Sequence, residues 1–91
     1  MKYVLLGTLN AQWVSKQKKR TNAARAKAKE LNIKLHSIYY TQGEYDFVDI
    51  VEAEPADILV FSMWYGQQGY GRIVTMPAFE TATVEKALGK L

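Results

Sequence analysis

The sequence predicts an α+β fold: one antiparallel four-stranded sheet in the order β-α-β-β-α-β, followed by a short C-terminal helix. Three observations carry that expectation. Four runs rich in β-branched and aromatic residues begin near residues 2, 33, 45 and 72, and helical stretches separate the first two and the last two. The two middle runs are joined only by a short connection containing Gly43, as in a hairpin. The 91 residues are 48% hydrophobic and 23% charged, a globular composition sufficient for one domain, 1–91, without linker or repeat.

Residues 2–9 read as the first strand, ending at Asn10, a residue suited to capping a helix N-terminus. Residues 11–31 read as helical, in two pieces around Ser15–Arg20, with Ala24, Ala28 and Leu31 forming an i, i+4, i+7 stripe. Alanines at those positions let a helix lie close to a sheet. Ile33–Thr41 and Tyr45–Ala53 form the hairpin around Gln42-Gly43. Pro55 then opens a second helix that runs to about Gly66, with Glu54 and Asp57 at its positive end. Arg72–Phe79 is the fourth strand, and Thr81 or Thr83 caps a tail helix ending near Gly89. This is the split βαβ, ferredoxin-like arrangement.

Composition excludes several chemistries. There is no cysteine, hence no disulfide, thiolate metal site or cysteine nucleophile, and a single histidine rules out a multi-histidine zinc site in one protomer. The apolar start is followed by a basic run, not a cleavage site, so it reads as a strand of a cytoplasmic protein and not as a leader. No stretch is long enough to span a bilayer. Ser15, Ser37 and Ser62 lack any nucleophile-elbow context.

The second helix points to assembly. Residues 58–65 read Ile-Leu-Val-Phe-Ser-Met-Trp-Tyr, apolar nearly all round, which calls for burial on more than one side. Both helices cover one face of the sheet and leave the other bare. A homo-oligomer follows, a dimer packed sheet on sheet, with Phe61 and Trp64 as interface candidates. The alternative is that the tail helix folds back over Phe61 and Trp64.

A two-residue turn at Gln42-Gly43 would pair Tyr40 with Tyr45, Ile38 with Phe47 and His36 with Asp49, all on one face. That face would then be the dimer side, with Leu35, Tyr39, Val48 and Ile50 against the helices. A carboxylate beside an imidazole fixes its tautomer and raises its basicity, so His36 and Asp49 are the catalytic candidates. The commoner meaning of one His and one Asp on a sheet is a satisfied polar pair. A three-residue loop would pair His36 with Ile50 instead.

Charge is unevenly divided. Residues 1–34 hold nine Lys/Arg against Glu30 alone, and residues 35–91 hold three against eight acids. The basic stretch 16–29 fits an anionic partner, the acidic half of a neighbouring protomer, or plain solvation. RNA is disfavoured by context. Gln68-Gly69-Tyr70-Gly71-Arg72 has the Gly-Tyr-Gly centre of an RNA-recognition strand but lacks its flanking aromatics and precedes the wrong strand. Gly66-Gln67-Gln68-Gly69 leads into a strand where a KH clamp needs a helix, and no phosphate-loop fingerprint is present.

The run Tyr39-Tyr40-Thr41-Gln42-Gly43-Glu44-Tyr45-Asp46-Phe47-Val48, with its Gly43-x-Tyr45-Asp46, resembles the GYD-domain family. The helix carrying Ala23, Ala24 and Lys29-Glu30-Leu31 is similar to that family, as is the ending Arg72-x-x-Thr75-x-x-Ala78-Phe79. The resemblance covers nearly the whole chain. It implies a dimeric α+β barrel in which two sheets pack to enclose a cavity. It implies no particular activity, since related barrels include cofactor-independent monooxygenases, isomerases, haem enzymes and ligand sensors. The second helix departs from the family's acid- and alanine-rich pattern at Phe61, Met63, Trp64 and Tyr65.

Three readings of function follow. The first is small-molecule binding in an aromatic-lined cavity, with Tyr40, Tyr45 and Phe47 as lining candidates and no cofactor. The second is a cofactor-free enzyme using His36 and Asp49. The third is an assembly or anion-binding module using the basic first helix.

Overall fold

Alternation along residues 2–9 decides which face of the sheet is covered. In the computed structural model, which describes residues 1–91, β1 (Lys2–Leu9) buries Tyr3, Leu5 and Gly7 and turns Val4 and Leu6 to the opposite face. A three-residue turn of 3-10 helix at Ala11–Trp13 stands apart from α1 (Gln17–Glu30), so the first helical region is in two pieces, as the sequence suggests. β2 (Lys34–Tyr40), β3 (Phe47–Glu52), α2 (Pro55–Gln67), β4 (Gly71–Ala78) and α3 (Thr81–Leu88) complete the chain. The sheet order is β2-β3-β1-β4 with every neighbouring pair antiparallel, the ferredoxin-like arrangement.

Both long helices lie on the Tyr3–Leu5–Gly7 face. Ala24, Ala28 and Leu31 of α1 pack on a core of Tyr3, Leu5, Ile33, Val51, Ala53, Ile58 and Phe61. A second cluster of Phe47, Tyr65 and Tyr70 takes in Trp13, Trp64 and Ile73. The rings form a chain of edge contacts, with Trp13–Tyr70 centroids at 4.5 Å, Tyr65–Tyr70 at 5.3 Å and Phe47–Tyr65 at 5.9 Å. Edge contacts of this kind add to the burial of the rings themselves. Gly7 makes the arrangement possible, because a Cβ there would overlap the Phe47 ring lying across β1.

Asn10 stands at the N-cap position of the 3-10 turn, but its side chain makes no cap bond. Its side-chain amide donates to the Gly69 carbonyl (2.8 Å) and its backbone N–H to the Tyr70 carbonyl (2.8 Å), tying the end of β1 to the loop before β4. The hairpin also differs from expectation. Its connection is longer than two residues: the Thr41 N–H donates to the Asp46 carbonyl (2.9 Å), and the Thr41 hydroxyl to the Tyr45 carbonyl (2.6 Å). Tyr40 therefore pairs with Phe47 and Ile38 with Asp49, and a bulge between Leu35 and Ser37 displaces His36 from the ladder. A bulge inserts one extra residue and re-aims the side chains beyond it. Leu35 and Ile38 consequently both turn to the helices although they are three residues apart.

From Ser37 onward the faces of the hairpin are thus opposite to those expected from a two-residue turn, whereas Leu35 and His36, before the bulge, keep the expected faces. Phe47 and Asp49 lie under the helices, and Val48 and Ile50 lie on the bare face beside Val4 and Leu6. Phe61 is buried in the protomer core, not displayed at its surface. The outward side of α2 carries Leu59, Val60 and Met63 instead, and Trp64 is half-buried against Phe61 and Tyr70. The tail does not cover these residues, since every residue of α3 is exposed, Val84 and Leu88 included.

Asp46 accounts for the hairpin's register. Its Oδ2 accepts from the Leu9 N–H (2.7 Å), and its own N–H donates to the Gly7 carbonyl (2.7 Å). The loop is pinned to β1 from both directions. Hydrogen bonds to an ionised acceptor are worth more than neutral ones. Asp46→Ala is expected to cost about 1–3 kcal/mol of stability, with Asp46→Asn, which keeps an acceptor oxygen, losing less. Urea unfolding of the three proteins checks this, and equal stabilities would remove the clamp from the account.

Candidate functional site

The site begins with the stripe on α1. Arg20 precedes Ala24 and Ala28 at helical spacing, so it faces the sheet with them and is only 3% exposed. Small alanines beyond it leave space that bulkier side chains would fill. The result is a cavity of about 310 Å³ between α1 and the sheet, with 11 hydrophobic residues among the 16 that line it. Its floor is Leu5, Ile38, Phe47, Asp49 and Val51 from the strands, and Phe61 and Tyr65 close it from α2. Arg25, Lys29 and Tyr40 also line it.

Three of these side chains carry buried polar atoms with no partner: Nε and Nη2 of Arg20, Oδ1 of Asp49 and the hydroxyl of Tyr65. A buried donor or acceptor left unmet costs about 1–3 kcal/mol, so such atoms seldom gather without cause. Arg20 and Asp49 form no ion pair with each other. Burial pushes the Asp49 carboxyl up to about 6, against the pull of Arg20 and Arg25. Burial likewise raises the Tyr65 phenol to about 12, which keeps it a neutral hydrogen-bond donor at ordinary pH.

His36 and Asp49 are not brought together. The bulge carries His36 to the bare face, where its Nε2 meets Glu52 Oε1 at 3.0 Å, and that bond holds the Glu52 carboxyl below its ordinary range. Asp49 is across the sheet in the cavity. Of the expected lining residues, Tyr40 and Phe47 are in place, while Tyr45 stands in the hairpin loop outside the lining. Gly43, Tyr45 and Asp46 act on the loop and the end of β1, with Gly43 at a φ of 140°. The cavity lies between one protomer's helices and its sheet and is partly open to solvent, with Leu35 and Tyr40 exposed at its edge.

Sequence reasoning missed Arg20 and Tyr65. The signal for Arg20 was present: it stands four residues before Ala24, in line with the apolar stripe and not on the solvated side. Of the other cations of the stretch, Lys18 is exposed and the rest are engaged. Lys16 and Lys19 lie over the Trp13 ring, and Lys27 meets both the Trp64 ring and Glu30. Arg25 and Lys29 turn to the cavity.

The raised Asp49 carboxyl makes stability depend on pH. The unfolded chain releases this proton near the ordinary 3.8, whereas the fold holds it until about 6. Between those values folding carries a bound proton, so this contribution favours the fold at low pH and fades as pH rises through about 6. Relative to Asp49→Asn, the wild type is expected to lose about 1–3 kcal/mol between about pH 4 and about pH 7. Urea unfolding at the two pH values measures the difference, and identical pH dependence in both proteins would contradict it.

No curated protein matches the chain. The family model described as the GYD domain matches residues 3–88. That span takes in β1, the cavity and its floor, the hairpin clamp and α3, and the chain belongs to the GYD-domain family.

Proposed function

We propose that the protein binds a small molecule in the cavity between α1 and the sheet, as one half of a homodimeric α+β barrel. The observation that carries this reading is the cavity's constitution. Ligand pockets combine an apolar surround with a few converging polar groups, and here the polar groups are Arg20, Asp49 and Tyr65, each with atoms left for something else to meet.

The homodimer rests on the opposite face of the sheet. Val4, Leu6, Val48 and Ile50 are only half-buried there, and Tyr39, Val74 and Met76 are exposed. Apolar area of this extent on one face marks an interaction surface. A second copy with the same face buries both at once, as twofold symmetry requires.

One observation favours a second reading, a cofactor-free enzyme. The Asp49 carboxyl is pushed up to about 6 inside a cavity, where a general base working near neutral pH is best placed. His36 takes no part in that version.

Two measurements test the proposal. A ligand at roughly a hundred times its Kd stabilises the folded state by about 2.7 kcal/mol, which raises Tm by roughly 10–20 °C in a domain of this size. Screening compounds by thermal shift is expected to find such ligands for the wild type and lose them for Ala24→Phe, which fills the cavity. Hits that bind Ala24→Phe equally well would place binding elsewhere. Sedimentation velocity is expected to give twice the chain mass for the wild type and the chain mass for Ile50→Lys; a monomeric wild type would refute the dimer.

A further inference from the structure

We propose that the cavity takes a small organic acid, its carboxylate seated on the Nε–Nη2 edge of Arg20 and its apolar body along Leu5, Ile38, Phe47 and Val51. This rests on the reading that the cavity binds a small molecule, and it names the chemical class.

The buried, unmet atoms of Arg20 lie along one edge of its guanidinium. Arg20 has five N–H donors in a rigid fork. The two wholly buried nitrogens, Nε and Nη2, have no partner, share one edge of that fork and point hydrogens in parallel. Two parallel donors match the two oxygens of a carboxylate. The protein supplies no such group, because Asp49 is the only acidic side chain lining the cavity and does not pair with Arg20.

Charge points the same way. Buried Arg20 and, on the solvent side, exposed Arg25 and Lys29 line the cavity against Asp49 alone, so an entering anion lowers the unbalanced positive charge. With the guanidinium almost wholly buried, little solvent screens that attraction.

The walls then favour an acid with an apolar body over a bare inorganic ion. Most of the lining is hydrophobic, and burying it against an apolar body contributes roughly 25 cal/mol per Å² removed from water. Asp49 Oδ1 and the Tyr65 hydroxyl supply one further acceptor and one further donor. A hydroxyl on the acid can meet both.

The test is calorimetric titration of the full-length chain at neutral pH with octanoate and 4-phenylbutyrate, their primary amides, and inorganic phosphate. The carboxylates are expected to bind at least about tenfold more tightly than the amides and than phosphate, since each charge-assisted bond outweighs its neutral counterpart. Arg20→Gln is expected to erase the preference over the amides. Arg20→Lys, which keeps the charge but not the fork, is expected to lose most of it. Circular dichroism confirms that each variant is folded, and the two substitutions check one another. Equal affinity for acids and amides would overturn the carboxylate assignment and leave cavity binding standing. Equal affinity for phosphate would overturn the role of the apolar body. Acids that bind Arg20→Gln as tightly as wild type would overturn the role of Arg20. Binding of none of the organic probes would overturn both this assignment and the cavity reading beneath it.

Discussion

The Asp46 carboxylate, held by the Leu9 N–H and answering through its own N–H to the Gly7 carbonyl, governs more of this protein than its size suggests. It ends the hairpin loop against β1 and so places Phe47 opposite Gly7. From that pairing, alternation turns Asp49 and Val51 to the helices and Val48 and Ile50 away from them. A slip of one residue would put Asp49 on the bare face and leave the cavity without its carboxylate. The Gly-x-Tyr-Asp motif therefore acts through the backbone: none of its residues lines the cavity, yet it sets which side chains compose it.

The cavity is a place where the fold forgoes stability. A leucine or methionine at position 20 could extend the Ala24–Ala28–Leu31 stripe and meet the sheet as ordinary core. Arg20 stands there instead, with two buried nitrogens unmet and an alanine face beyond it that leaves the space unfilled. Asp49 and Tyr65 add two more unmet atoms. Local sacrifices of this sort are common where a protein prepares a site in advance of its ligand. The surrounding aromatic chain, from Trp13 through Tyr70 and Tyr65 to Phe47, supplies compensating burial next to the cavity.

Much of this was legible in the residues. The order of elements, the break in the first helical region and the alanine stripe all follow from periodicity and from Pro and Gly placement. The register of the hairpin did not, because Gln42-Gly43 resembles a tight turn while the closing bonds come from Thr41 and Asp46, outside that pair. The bulge at His36 has no sequence mark. It arises where Leu35 and Ile38, three residues apart, both have apolar partners on the helix side. The phase of α2 was also hidden: with Ile58–Tyr65 apolar nearly all round, only packing against the sheet separates Ile58, Phe61 and Tyr65 from Leu59, Val60 and Met63. Arg20 was readable in principle, as a charge in line with an apolar stripe, but its place in a basic run hid it.

On the proposed reading, Arg20 is kept for a ligand at the expense of the empty fold. The thermal stability of ligand-free Arg20→Met, set against wild type at the same pH, tests it most directly. Removing a buried guanidinium with unmet donors in favour of an apolar side chain is predicted to raise Tm, by an amount corresponding to about 1–3 kcal/mol. A lower Tm for Arg20→Met would show that Arg20 holds the core together and would contradict the account.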